Sequence, residues 1–340
     1  MGLKQVAAAA APSLRGLVPG AGHRAHALHG PAALWAEKNC YVDIWIELLH
    51  ALGLEPRAML GFTVAIDFDG DQWTFFKPPH GELFELYGID VQELNVWRPL
   101  LDHALEHLGA DRAISTEADA FWLPDTAGTD YRRQHTKTTI VLAEVDPLAR
   151  RAVYLHNGGC FSLEGEDFEG LFRTPQPREA AELPLFAESV RLGRLVRRDD
   201  AELAQRARGL FARHLARRPA ANPVTRFAAR WAEELASLQE AGLAHYHAWA
   251  FATLRQLGAA TELAAAGLRY IVEHDATLPK DASASTLEAA ASMAFVAQGA
   301  KTLILKGARA GSARKPLGSE SLLLEMAMAW DAAMGRISAL

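Results

Sequence analysis

The sequence predicts an α+β chain, with helices and an antiparallel sheet in its first half and helices alone in its second. Three observations carry this expectation. The composition shifts near residue 175, from a mixture rich in aromatic and turn residues to one dominated by Ala, Leu, Glu and Arg. The runs TKTTIVLAEV and AVYLHNGG flank a DPLARR turn, the pattern of a β-hairpin with one apolar side on each strand. Beyond residue 198 the long segments repeat apolar residues at i, i+3 and i+4, the period of a packed helix.

Taken in order, residues 1–28 are expected to form a mobile tail, since the alanine run is broken by Pro12 and Arg15 too early for a secretion signal. Cys40 to Leu52 carries apolar residues on nearly every face, which predicts a buried helix, with Gly53 as its C-terminal cap. GFTVAIDFDGDQWTFFKPP reads as two β-like runs about the Asp69-Gly70 turn. Residues 80–87 and 91–109 read as helical, and AISTEADAFWLP as a strand entering a loop. RTPQPREAAELP, with prolines at 175, 177 and 184, marks a linker. The helical half follows, with start signals at Asp199, Asp200, Asn222 before Pro223, Ser283 or Ser285, and Ser319. The expected domains are residues 29–174, α+β, and residues 185–340, α-helical.

At 340 residues the chain exceeds one ordinary core. A net charge of −6 argues against nucleic acid as a partner, and no apolar run reaches the roughly 18 residues of a membrane span. Two cysteines make no disulfide framework, which fits a reducing cytoplasm.

Cys40 is the first chemical question. Asn39 is a natural N-cap, so Cys40 falls in a first helical turn, where unpaired N–H groups stabilise a thiolate. A buried thiol is the plain alternative. A catalytic cysteine needs a base and a group to hold that base. His135 precedes the first hairpin strand and Asn157 ends the second, so an antiparallel hairpin is expected to bring them side by side. Cys40, His135 and Asn157 would then form a Cys-His-Asn set in papain-like order. Asn157-Gly158-Gly159 also reads as turn chemistry, and His135 as a charged strand start. His156 is one residue out of step and is expected on the opposite sheet face. Asp146 lies in the hairpin turn, away from His135. Cys160 is the rival thiol. His135, His156 and Cys160 match no strong zinc spacing, so no metal is expected.

Two resemblances follow from longer stretches. NCYVDIWIELLHALGL, GDQWTFFKPPH, YGIDVQELNVWRP, EADAFWLPDTAGTDYRRQHTKTTI, YLHNGGCFSLEGEDFEGLF, NPVTRFAARW and AHYHAWAFATLRQLGAATELAA resemble a bacterial family classed as a domain of unknown function, over roughly residues 30–335. The order of helix-borne cysteine, DAFWLP strand-loop, strand-start histidine and helical C-terminal domain is distantly similar to the papain-like butirosin-pathway acyltransferase family, mainly over residues 30–160. That family moves an acyl group from an acyl carrier protein's phosphopantetheine thioester to cysteine, then to an amine. The resemblance implies a papain-like first domain with Cys40 as nucleophile and His135 as its histidine. Related exporter-linked peptidases carry a glutamine six residues before the cysteine, where this chain has Leu34. An oxyanion hole would need the Cys40 N–H and another donor, with Asn39 and Gln72 as candidates.

The expected function is therefore cysteine-dependent acyl transfer through an acyl-Cys40 intermediate. The donor is a carrier-protein phosphopantetheine thioester, the acceptor is a small molecule, and no cofactor is resident. Trp73, Phe76, Lys77 and Trp122 are candidate substrate-binding residues, with Phe75 and Phe121 nearby in sequence, though core packing also explains the aromatics. Lys77, Arg132 and Arg133 could meet phosphate or an acidic carrier surface. A thioesterase or peptidase on the same residues, and a non-catalytic scaffold, are the alternatives.

Overall fold

The computed structural model describes residues 14, 17–174, 184–313, 318–338 and 340. In chain order the first half contains α1 (Cys40–Ala51), a 3-10 segment (Pro56–Ala65), β1 (Phe68–Asp69), β2 (Gln72–Trp73), α2 (His80–Tyr87), β3 (Asp90–Glu93), α3 (Leu100–Gly109) and β4 (Arg112–Asp119). Then come short 3-10 turns at Ala120–Trp122 and Pro124–Thr126, followed by β5 (Lys137–Asp146), β6 (Arg151–His156), β7 (Gly159–Glu164), α4 (Glu166–Phe172) and β8 (Ala187–Arg191). The second half is helical: α5 (Asp200–Leu215), α6 (Pro223–Ala241), α7 (Leu243–Ala252), α8 (Leu254–His274), α9 (Lys280–Ala313) and α10 (Glu320–Ile337). Among the described residues, no helix is long and apolar enough to cross a membrane.

The contacts divide the chain into two units. One comprises the described residues up to His26, with Asp43–Gly53 and Gly88–Val196; the other comprises Ala27–Val42, Leu54–Tyr87 and Arg197–Leu340. Segments from the first half of the sequence thus cluster with the C-terminal helices, and the division falls inside α1.

The first unit is built on an antiparallel sheet of order β3-β8-β4-β5-β6-β7. One sheet face carries Ile114, Ile140, Leu142 and Tyr154 and packs on Leu100, Ala104 and Leu108 of α3 and Phe168, Leu171 and Phe172 of α4. Each such fully buried side chain contributes roughly 1.5–3 kcal/mol. The 137–156 hairpin forms as expected, with a bulge between Leu142 and Glu144. Residues 90–93 are strand rather than helix: they pair with β8 from Asp90↔Arg191 to Glu93↔Glu188. Pro99 separates them from α3, since proline starts a helix more readily than it continues one.

The second unit contains the small β1–β2 hairpin, which turns at Gly70 with φ 66°, as the Asp-Gly signal implies. The β-like reading of the preceding run is corrected, because residues 56–65 wind into a 3-10 segment that packs on α5 and α8. A Cβ at Gly61 would stand 3.0 Å from the Phe211 backbone nitrogen, so this approach needs glycine. The apolar stretch 243–274 breaks at Thr253 into α7 and α8. Asp199 and Asn222 cap α5 and α6 as expected, each accepting backbone N–H bonds. Ser319 precedes α10, but its hydroxyl accepts from Trp231 Nε1 at 3.0 Å and caps nothing.

Residues 1–13, 15 and 16 of the expected tail and residues 175–183 of the expected linker lie outside the described residues. The described part of the tail is anchored. The Leu14 N–H bonds to the Ala143 carbonyl at 2.8 Å, and Glu47 of α1 accepts from His23 Nε2 at 2.7 Å and the His26 N–H at 3.0 Å.

Candidate functional site

In the second unit, Cys40 is the first residue of α1 and its thiol-bearing side chain is half-buried. Asn39 is the cap: its Oδ1 accepts the N–H groups of Tyr41 at 3.1 Å and Val42 at 2.9 Å. Its Nδ2 donates to the Phe76 carbonyl at 3.0 Å and the residue is buried, so the carboxamide serves the helix start. Asn39 is thus the N-cap the sequence predicts. Gln72, the other proposed donor, is exposed on the β1–β2 hairpin.

The segment leading to Cys40 is held by charge. Lys38 is fully buried, its ammonium donating to the carbonyls of Leu28 at 2.5 Å and of Trp35, and lying 3.4 Å from Glu262. Glu262 in turn accepts the N–H groups of Leu34 at 2.6 Å and Trp35 at 3.2 Å. Leu34 thus contributes its backbone to this clamp. The Trp35 ring lies over Gly258 of α8, where a Cβ would meet it at 2.3 Å, and Lys301 Nζ stands 4.7 Å from the ring centre. A buried ammonium of this kind persists only when paired and hydrogen-bonded.

Trp73 and Phe76 belong to the core of this unit, Trp73 against Phe68 and Phe227, and Phe76 stacked on Phe62. That is the core packing the sequence offered for these aromatics as the alternative to a substrate pocket. Lys77 is exposed, with its ammonium 5.4 Å above the Tyr41 ring, and the Tyr41 hydroxyl bonds His80 Nε2 at 2.8 Å.

In the first unit, His135 Nδ1 lies 2.5 Å from Asp119 Oδ2, and the imidazole stacks on Phe121 with ring centres 4.5 Å apart. A carboxylate at Nδ1 fixes the tautomer that leaves Nε2 as the basic nitrogen. Among the described residues nothing bonds Nε2, and the His135 side chain is 71 % exposed. Asp119 pairs with Lys137 on the face shared by Val141, Leu155 and Cys160. Glu47 of α1 acts electrostatically on that same cysteine.

Asn157 does not stand beside His135. Two residues beyond the Val141–Leu155 pair it comes abreast of Thr139, and it forms the β6–β7 turn with φ 46°. Asparagine tolerates that left-handed conformation, so its role there is turn formation. The neighbouring His156 is buried on the core face as expected. Its Nδ1 donates to Asp125 at 2.6 Å, while its Nε2 accepts from the Thr138 hydroxyl at 2.7 Å. The Tyr154 hydroxyl donates to the second Asp125 oxygen at 2.5 Å.

Cys160 is buried, and burial together with the Glu47 charge pushes its thiol up to about 11. Trp122 packs against Gly170 and under the Arg132 guanidinium, 4.6 Å away. Arg132 is ion-paired to Asp167 at 2.5 Å and Glu166 at 3.2 Å, while Arg133 donates to the Gly128 carbonyl at 3.4 Å. Among the described residues, no group of three or more His, Cys, Asp or Glu side chains is arranged to hold a metal ion.

Asp119 is the partner that sequence reasoning missed. Its signal was the DAFWLP stretch, together with the strand before it, which pairs with the strand that His135 precedes. The profile of the DUF1839 N-terminal domain matches residues 24–192, and that of the DUF1839 C-terminal domain matches residues 200–339. No curated protein matches the chain.

Proposed function

The chain belongs to the DUF1839 family, and from that premise we propose that it is a cysteine-dependent acyltransferase with a papain-like use of Cys40 and His135. The observation that carries this reading is the His135 imidazole, held at Nδ1 by Asp119 and stacked on Phe121, with Nε2 available to take a proton. Asp119 takes the orienting role first given to Asn157. Cys40, at the first turn of an Asn39-capped helix, supplies the thiol.

His135 Nε2 accepts the Cys40 proton, and the thiolate adds to the carbonyl of a phosphopantetheine thioester on an acyl carrier protein. The tetrahedral adduct expels the pantetheine sulfur, which takes the proton back from His135, and acyl-Cys40 remains. An acceptor amine then adds to that thioester while His135 removes its proton. Collapse releases the amide and returns the Cys40 sulfur, reprotonated from His135. The proposal requires Cys40 and His135 to meet, and the test reads that directly.

Iodoacetamide labelling of the full chain between pH 5 and 9 is mapped by peptide mass spectrometry. Fast labelling of Cys40 at pH 6, lost in His135→Ala and reduced in Asp119→Asn, is expected. Incubation with octanoyl-pantetheine should then leave an octanoyl adduct on the Cys40 peptide, absent in Cys40→Ser. Cys160, with its raised thiol, is the internal control and stays unlabelled. Labelling of Cys40 only on unfolding, or without dependence on His135, overturns the reading.

A further inference from the structure

A cavity of about 820 Å3 opens in the first unit at one end of the six-stranded sheet, within the size range of small-molecule sites. Its lining residues include the apolar Leu14, Leu52, Leu108 and Leu192 and the basic Arg112, Arg191 and Arg194. Asp90 and Asp111 also reach it.

The register makes the charge arrangement unusual. Asp90 pairs with Arg191, and Arg191 pairs with Arg112, so one row across β3, β8 and β4 reads Asp-Arg-Arg on a single sheet face. Like charges directly opposite each other on adjacent strands destabilise a sheet. Asp90 is committed to Arg191, 3.2 Å away. Its carboxyl is held low first by the Gln92 amide and then by the charges of Arg191 and Arg194. Asp111 sits in a left-handed turn, and no ion pair joins it to either remaining arginine among the described residues. Nor do Arg112 and Arg194 meet any other carboxylate there. His107 of α3 bonds Ser189 Oγ at 3.0 Å, and its imidazole is lowered first by burial and then by the Arg112 charge. It offers no compensating anion.

Three arginines against two aspartates, with Asp90–Arg191 as the one ion pair closed among them in the described residues, and an apolar wall define a ligand with an anionic head and an aliphatic part. A planar guanidinium matches phosphate oxygens in pairs, and two of them suit a dianion better than a monocarboxylate. We propose that this cavity binds an organic phosphate, its phosphate on Arg112 and Arg194 with Arg191 beside them, and its apolar arm along Leu14, Leu52, Leu108 and Leu192. The site is independent of the chemistry assigned to Cys40.

Titration calorimetry with hexyl phosphate, inorganic phosphate and hexanoate tests it on the full chain, with Arg112→Gln, Arg194→Gln and, as a charge control outside the cavity lining, Arg150→Gln. Hexyl phosphate is expected to bind more tightly than either comparison ligand and to weaken with added salt. Each cavity variant should lose about tenfold in affinity, and Arg150→Gln should lose nothing. Arg112→Gln without ligand should melt at or above the unmodified protein, because it removes a like-charge pair, while the rise in melting temperature on adding hexyl phosphate should disappear. Absent binding, or binding unchanged in the cavity variants, overturns the proposal. Equal affinity for hexanoate removes the phosphate requirement, and equal affinity for inorganic phosphate removes the apolar arm; either result also overturns it. Retention on polyglutamate without hexyl phosphate binding would overturn it in favour of an acidic protein partner.

Discussion

Two histidines in the first unit are each held at Nδ1 by an aspartate at almost the same distance, 2.5 Å for His135 on Asp119 and 2.6 Å for His156 on Asp125. Their surroundings differ in every other respect. The His156 and Asp125 side chains are 3 % and 6 % exposed, and Thr138 and Tyr154 occupy the remaining polar atoms of the pair. Burial and the Asp125 charge push the Tyr154 phenol far above its ordinary range, so it stays a donor. His135 instead lies open, and among the described residues nothing bonds its second nitrogen. The same aspartate–imidazole hydrogen bond thus pins a loop to a sheet in one place and presents a base in the other. Burial and the partner of the second nitrogen decide which.

The comparison breaks if both pairs cost the same to remove. Asp125→Ala leaves the His156 N–H and the Tyr154 hydroxyl without an acceptor, and should cost about 3–5 kcal/mol in urea unfolding. Thr138→Val removes the hydroxyl that donates to His156 Nε2 and should cost about 1–3 kcal/mol, read in the same experiment.

A pH series sharpens the burial argument on α3 of the same sheet. His103 is lowered by burial and then by Arg98, and His107 by burial and then by Arg112. The unfolded chain therefore binds protons that the fold resists. Stability should hold above about pH 6.5 and fall as the pH drops below it towards the folded values. Comparing urea midpoints at pH 7.5 and 5, His103→Gln with His107→Gln should flatten the loss. The smallest stability effect belongs to Asp119→Asn, at most about 1 kcal/mol at so open a site. An Asp119 variant as destabilised as the Asp125 variant would show that exposure does not separate the two pairs.

Local chemistry was legible in the sequence where a residue acts on its own neighbours. Asn39 capping α1, Gly53 ending it with φ 68°, the 137–156 hairpin and the helical second half all follow from short-range patterns. The strand β8 left no comparable mark. It inserts between β3 and β4 from across the linker, a pairing fixed by burial of the sheet and not by any turn. The reading of residues 91–109 as helix held from Leu100 onward and failed at its start for the same reason, since Asp90–Glu93 gains its ladder only from that distant strand. At the candidate site the hairpin was foreseen, but the His135–Asn157 pairing was not met, because the register runs four residues away from it. Period-two alternation correctly put His156 on the other face. Nothing local could show that Asp125, on a 3-10 turn, would meet it there.

The clamp around Lys38 has a consequence for the order in which the protein is made. Glu262, which receives the Leu34 and Trp35 N–H groups and faces the Lys38 ammonium, lies more than two hundred residues downstream of them. During synthesis the approach to Cys40 emerges long before its carboxylate. The thiol's surroundings are therefore completed only once α8 has left the ribosome. A fragment ending with the N-terminal family match at residue 192 would hold Cys40 but not Glu262, so its cysteine is expected to report an unfinished environment.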